Sequence, residues 1–192
     1  MKKTFFICAA IFAFVLGTAA VRAEEKGLIL NQPLPKFELP VPGDAFGRNY
    51  LDLDRENGMF KIGELRAELV IIEIFSMYCP FCQREAPKVN ALFNLIQADK
   101  QLSPRIKMIG IGVGNSGFEV DYFRKSYKIE FPLFPDEDFK IHKLCGEVRT
   151  PYFIGVKNTP GQKPIVIYTH LGGFESPRGF LDEMLKRGGL EK

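Results

Sequence analysis

Cys79 and Cys82, spaced C-x-x-C, are the residues of this chain best suited to chemistry. The thiolate is the reactive form of cysteine, and the unpaired amides at a helix start lower a thiol pKa. Proline is well tolerated at the first helical position, so Pro80 predicts that Cys79 caps a helix and that Cys82 lies one turn on. At that spacing the two sulfurs can meet. Cys79 would attack a substrate disulfide and Cys82 would resolve the mixed disulfide, moving two electrons.

Glu73 is the second element. It interrupts the apolar run Leu69-Val70-Ile71-Ile72-Glu73-Ile74-Phe75. A buried carboxylate is costly unless paired or neutral, so its pKa is expected to rise until it can exchange protons near neutrality. This predicts a proton shuttle to and from Cys82; the competing reading is a solvated acid on an edge strand. Thr150-Pro151 enters a later strand, where the proline is either an ordinary strand-start residue or a cis-proline whose tight turn holds the backbone against the cysteines as a substrate-side support. Taken alone, its peptide bond is expected to be trans, because only about 5% of X-Pro bonds are cis. Tyr78 before Cys79 and Pro80 and Phe81 between the cysteines make, with Thr150 and Pro151, the expected substrate-binding surface. His142 and Cys145 could join Cys79 and Cys82 as four zinc or copper ligands. They read more simply as a surface histidine and a cysteine packed at a helix end, and Pro80 fits a helix start better than a metal knuckle.

The elements that must hold these residues follow from pattern. Leu69 to Phe75 and Ile106 to Val113 are short, β-branched apolar runs of the kind buried on both faces of a sheet. Val89, Leu92, Phe93 and Ile96 fall at helical spacing, predicting a helix from Pro80 to about Asp99 that Pro87 should kink. Strand, helix and strand then form a right-handed parallel βαβ unit. Further helices are expected near Phe118 to Lys128 and Asp136 to Leu144, with a short extended piece at Phe131 to Phe134 between them. Tyr152 to Val156 and Ile165 to His170, separated by a turn with Asn158, Pro160 and Gly161, suit an antiparallel hairpin. Ser176-Pro177 opens a last helix that Gly188-Gly189 stops. Residues 24 to 68 read as an arm or hairpin layer, extended at Phe37 to Leu39 and Tyr50 to Leu53, with one helical turn near Ile62 to Arg66.

The 192 residues suffice for one domain, and 46% hydrophobic with 26% charged residues exclude a disordered or fibrous chain. The net charge of +3 comes from Lys2, Lys3 and Arg22, which leaves a neutral body with no basic run and no electrostatic case for nucleic acid. Lys2 and Lys3, the uncharged stretch Thr4 to Val21 and the ending Val21-Arg22-Ala23 read as an export signal over residues 1–23, or as a membrane anchor if uncleaved. Residues 24–192 form the domain, placed in the periplasm or cell envelope. Cys8 falls in the apolar stretch. The three cysteines left in the body are too few and uneven for a disulfide scaffold.

The segment Leu69 to Pro87, with its buried acid, its aromatic residue before the first cysteine and the ending Cys82-Gln83-Arg84-Glu85-Ala86-Pro87, resembles the exported thioredoxin-like thiol:disulfide oxidoreductases of the TlpA and ResA group. Asn31 to Pro40 resembles the opening of redoxin domains, Gly146 to Phe153 their cis-proline segment, and Leu171-Gly172-Gly173 the end of their last strand. The resemblance implies an α/β thioredoxin-like fold, a central mixed β-sheet flanked by helices with an N-terminal β-hairpin extension, and a cis Pro151. It also implies a reductant of protein disulfides with no cofactor beyond the Cys79–Cys82 pair, fed by a membrane electron donor, for example in cytochrome c maturation. Tyr78 stands where that group commonly has Trp, and Pro80-Phe81 matches neither the Gly-Pro of reductants nor the Pro-His of strong oxidants. A peroxiredoxin is the nearest rival: Ser76 suits its motif before a peroxidatic Cys79, but Ile72 stands where that motif has Pro.

Overall fold

The computed structural model describes residues 27–191, so the export signal read in residues 1–23 lies outside it. The arm comes first, as β1 (Leu39–Pro40), α1 (Ala45–Tyr50), β2 (Met59–Phe60) and a 3-10 turn at Ile62–Glu64. The body follows as β3 (Leu69–Phe75), α2 (Pro80–Ala98), β4 (Ile106–Val113), α3 (Gly117–Tyr127) and β5 (Leu133–Asp136). It closes with α4 (Lys140–Leu144), β6 (Tyr152–Lys157), β7 (Ile165–Leu171) and α5 (Pro177–Gly188).

Five strands make one mixed sheet in the order β5-β4-β3-β6-β7. β3, β4 and β5 are parallel, linked through α2 and α3, while β6 and β7 run antiparallel. β3 is therefore the central strand, and the edge-strand reading of Glu73 is corrected.

Side chains alternate across a strand, and the core divides accordingly. Leu69, Ile71 and Phe75 join one apolar cluster with Val89, Leu92 and Ile96 of α2, Val120 and Phe123 of α3, and Leu181 and Met184 of α5. Val70, Ile72 and Ile74 join a second cluster on the other face, with Leu39, Leu51 and Phe60 of the arm and with Ile141 and Cys145. Each such buried side chain contributes about 1.5–3 kcal/mol. By the same alternation Glu73 faces α2.

Helix α2 passes Pro87 as a single element, so the expected kink produces no break. Three boundaries differ from expectation. Tyr50 to Leu53 is the end of α1 and a turn rather than a strand, because the Asp44 side chain caps α1 by accepting the Gly47 amide at 2.7 Å. The arm's antiparallel pair is instead Leu39–Pro40 with Met59–Phe60. The extended piece expected at Phe131 to Phe134 is Leu133–Asp136. The helix expected from Asp136 starts only at Lys140, since Asp136 ends β5 and its carboxylate accepts the amides of Ile141 and His142 at 3.0 and 2.8 Å.

Candidate active site

β3 ends at Phe75, and a short turn delivers Cys79 to the N-cap of α2 with Pro80 in the first turn. The turn is held from three sides. Cys79 donates its amide to Ser76 at 3.0 Å, Asn115 accepts the Met77 amide at 2.8 Å, and Gln83 donates to the Met77 carbonyl at 2.8 Å. Cys79 is half-buried, and its Sγ lies 3.3 Å from the Thr150 carbonyl oxygen. The Thr150–Pro151 bond is cis, as the family resemblance implied and as base frequency alone did not.

The two thiols are driven in opposite directions. Burial pushes Cys79 up, but hydrogen bonds from the Thr150 side chain, the Cys82 amide and thiol, and the Phe81 amide outweigh it, leaving the pKa below that of an ordinary thiol. Cys82 is fully buried; burial, reinforced by the charges of Glu73 and Cys79, holds it strongly protonated. The pair therefore offers one poised nucleophile and one thiol that needs a base.

Glu73 lies at the middle of β3, paired with Gly110 of β4 and Phe153 of β6, and only 3% of it is exposed. Burial raises its pKa to about 8, with smaller contributions from the charges of Glu85 and Cys79. Tyr78, just before Cys79, and Phe81, between the two cysteines, project into solvent, 64% and 63% exposed, and the Arg84 guanidinium sits 4.5 Å above the Phe81 ring.

Of the residues expected at the site, Cys79, Cys82, Thr150 and Pro151 converge at the start of α2, with Glu73 beneath that helix. Cys145 does not join them, while His142 lines a hollow with Ser76, Tyr78 and Thr150. The His142 Nε2 is bonded to the Val148 carbonyl at 2.8 Å, and Cys145 is buried in the cluster on the opposite face, which pushes its thiol up to about 12. Cys82 and Cys79 pack in the cluster on one face of the sheet and Cys145 in the cluster on the other, so the four residues of the zinc or copper alternative do not form one ligand set.

Three supporting residues had no assigned role in the sequence reading. Asn115 and Glu85 are buried acceptors, and Glu119 holds the Tyr78 hydroxyl. The Ser116-Gly117-Phe118-Glu119 capping box, in which Glu119 accepts the Ser116 amide at 2.7 Å, is the sequence signal that could have located α3 and its neighbour Asn115.

A sequence model of the AhpC/TSA family matches residues 30–168. The chain belongs to the AhpC/TSA family. Within it, the chain is similar to thiol-disulfide oxidoreductase ResA of Bacillus cereus, 22% identical over 151 residues that span 79% of this chain and 81% of that protein. Among solved structures, the thioredoxin domain of a thiol-disulfide oxidoreductase of Bacteroides vulgatus aligns with TM-score 0.57 and 12% identity, over 82% of this chain and 99% of that one. StoA of Bacillus subtilis aligns with TM-score 0.51 and 20% identity, over 67% and 90%. These likenesses establish for this AhpC/TSA member a thioredoxin-like fold.

Proposed function

We propose that this protein is a thiol:disulfide oxidoreductase of the cell envelope that reduces protein disulfides through Cys79 and Cys82. The observation that carries the reading is the pairing of a half-buried thiol of lowered pKa, at the N-cap position of α2, with a buried thiol of raised pKa one turn on. Kinship with proteins named ResA supports the same chemistry.

In the mechanism, the Cys79 thiolate attacks one sulfur of the substrate disulfide. The substrate S–S bond breaks, and the first substrate thiolate leaves and takes a proton from solvent. Ionised Glu73 then accepts the Cys82 proton, and the Cys82 sulfur attacks Cys79. The Cys79–substrate S–S bond breaks as the Cys79–Cys82 disulfide forms, the second substrate sulfur leaves as a thiolate that takes the proton held by Glu73, and two electrons have passed to the substrate. An external dithiol, which we assign to a membrane electron donor, resets the pair, and no cofactor is required. The backbone of Thr150 and Pro151 supports the docked chain, and Tyr78, Pro80 and Phe81 contact it. The pattern of Lys2 to Ala23 supports export, and maturation of cytochrome c is one process that would use such a reductant.

The test is reduction of insulin by the full chain with dithiothreitol as donor. Cys79→Ser abolishes turnover, whereas Cys82→Ser accumulates mixed disulfides with substrate. The measured potential of the pair is expected in the range of about −120 to −270 mV. Turnover of hydrogen peroxide that outpaces insulin reduction would replace this reading by a peroxidase.

A further inference from the structure

Three aromatic side chains stand in solvent around one hollow beside the nucleophile. Phe118 is 80% exposed, Tyr78 64% and Tyr122 57%, and the hollow they line has a volume of about 530 Å³. Phe118 and Tyr122 are four residues apart on α3, which places them on one face of that helix. The opposite face already supplies Val120 and Phe123 to the core, so these rings are not unfinished core packing. Clustered rings of this kind mark a contact surface rather than scattered exposure.

Two carboxylates line the same hollow, Glu119 and Glu137. Glu119 is fixed: one oxygen holds the Tyr78 hydroxyl, and the other accepts the Ser116 amide and hydroxyl at 2.7 and 2.8 Å. That capping arrangement also offsets the positive start of α3, so the helix end does not invite an anion. Among the described residues Glu137 has no ion-pair partner. Ring faces attract cations, and carboxylates add to the attraction. An anion would meet both carboxylates, and a neutral apolar group would leave them unused. Position selects the source of the cation. Tyr78 immediately precedes Cys79, so a polypeptide that brings its cysteine to Cys79 passes this hollow within a few residues, at about 3.3 Å per extended residue.

We propose that the hollow between Tyr78 and α3 receives a lysine or arginine side chain of the substrate polypeptide, close to the cysteine being exchanged. The proposal rests on the disulfide-exchange reading and adds a substrate preference to it: partners that carry a basic residue beside their cysteine.

The test uses the full chain and short, otherwise uncharged peptides with serine in place of the substrate cysteine, flanked by lysine, alanine or glutamate two to four residues away. Binding followed by amide chemical shifts is independent of redox activity. The lysine peptide is expected to bind about tenfold more tightly than the alanine peptide, to shift Phe118, Tyr122 and Glu137, and to weaken as salt screens the charges. In Phe118→Ala/Glu137→Gln the lysine and alanine peptides should bind alike. Equal binding of all three peptides to the unaltered chain, or tighter binding of the glutamate peptide, overturns the proposal. Cysteine-containing versions report separately on exchange: absence of any exchange overturns the oxidoreductase reading, while exchange without a lysine preference overturns the hollow alone.

Discussion

The carboxylate of Glu85 accepts the main-chain amide of Phe174 at 2.9 Å, and its charge helps to raise the pKa of Glu73. Its second oxygen lies 3.5 Å from the Lys88 ammonium, which donates to the Phe174 carbonyl at 2.7 Å. The Phe174 ring meets Phe153 edge-on at 5.4 Å between centres, and Phe153 is the β6 residue paired with Glu73. One cluster therefore joins the helix that carries both cysteines, the central strand and the loop after β7. A change in that loop is felt at the buried acid.

Gly173 tests the junction sterically, because a Cβ at this position would run into the Glu85 carboxylate. Gly173→Ala should cost roughly 1–3 kcal/mol as the acid is forced from the Phe174 amide. In a Glu85→Ala background the same change should cost much less, a coupling that a double-mutant cycle by chemical denaturation measures directly. Additive losses would show that Glu85 does not fill this space.

Glu85→Gln keeps an oxygen for the Phe174 amide and removes the charge. Burial, the larger cause of the raised Glu73 pKa, is untouched, so Glu73 should titrate below its present value of about 8 yet above its ordinary 4.5. Carboxyl carbon NMR across pH 4 to 9 follows this midpoint. An unmoved midpoint would mean that the two acids are not electrostatically coupled.

The path from β3 through α2 to β4 was legible because its signals are local: continuous β-branched runs and a Cys-Pro helix start. Tyr50 to Leu53 misled because its apolar–polar alternation imitates a strand, while the helix there depends on the Asp44 cap and on the Tyr50 hydroxyl accepting the Met108 amide at 2.7 Å. Asp136 looked like a helix start and does cap α4, but from the end of a strand. The placement of Cys79 at a helix start, of Cys82 one turn on and of Glu73 inside a buried strand could be read from type and spacing. The roles of Glu85 and Asn115 could not, because Phe174 and Met77 lie 89 and 38 positions away in the chain.

Cys145 separates packing from chemistry. It is fully buried in the cluster opposite the active-site face, and its thiol is pushed up to about 12 by burial and then by Asp136. Cys145→Ser places a hydroxyl in that apolar setting and should lower stability by roughly 1–3 kcal/mol. Insulin reduction per folded molecule should stay within about twofold, since the buried thiol is neither ionised nor near Cys79. A loss equal to that of Cys82→Ser would require a third cysteine in the mechanism.

Glu73→Gln joins fold and chemistry in one measurement. The unfolded chain releases this proton near 4.5 and the folded protein near 8. Between those values the native state binds more protons, so unaltered stability falls as pH rises, by at most about 1.4 kcal/mol per pH unit, and levels off above 8. The glutamine variant lacks that slope. Relative to the parent it should gain stability from pH 5 to 8, as urea denaturation at successive pH values would record. Exchange should move the other way. Without a base for the Cys82 proton, resolution of the mixed disulfide should slow by roughly 10²-fold at pH 7, and the parent's levelling of rate above pH 8 should give way to a continued rise, since the raised Cys82 pKa leaves hydroxide to form its thiolate. A variant that gains the stability but keeps the parent's rate profile would leave Glu73 as a buried acid that the fold tolerates, with solvent taking the proton from Cys82.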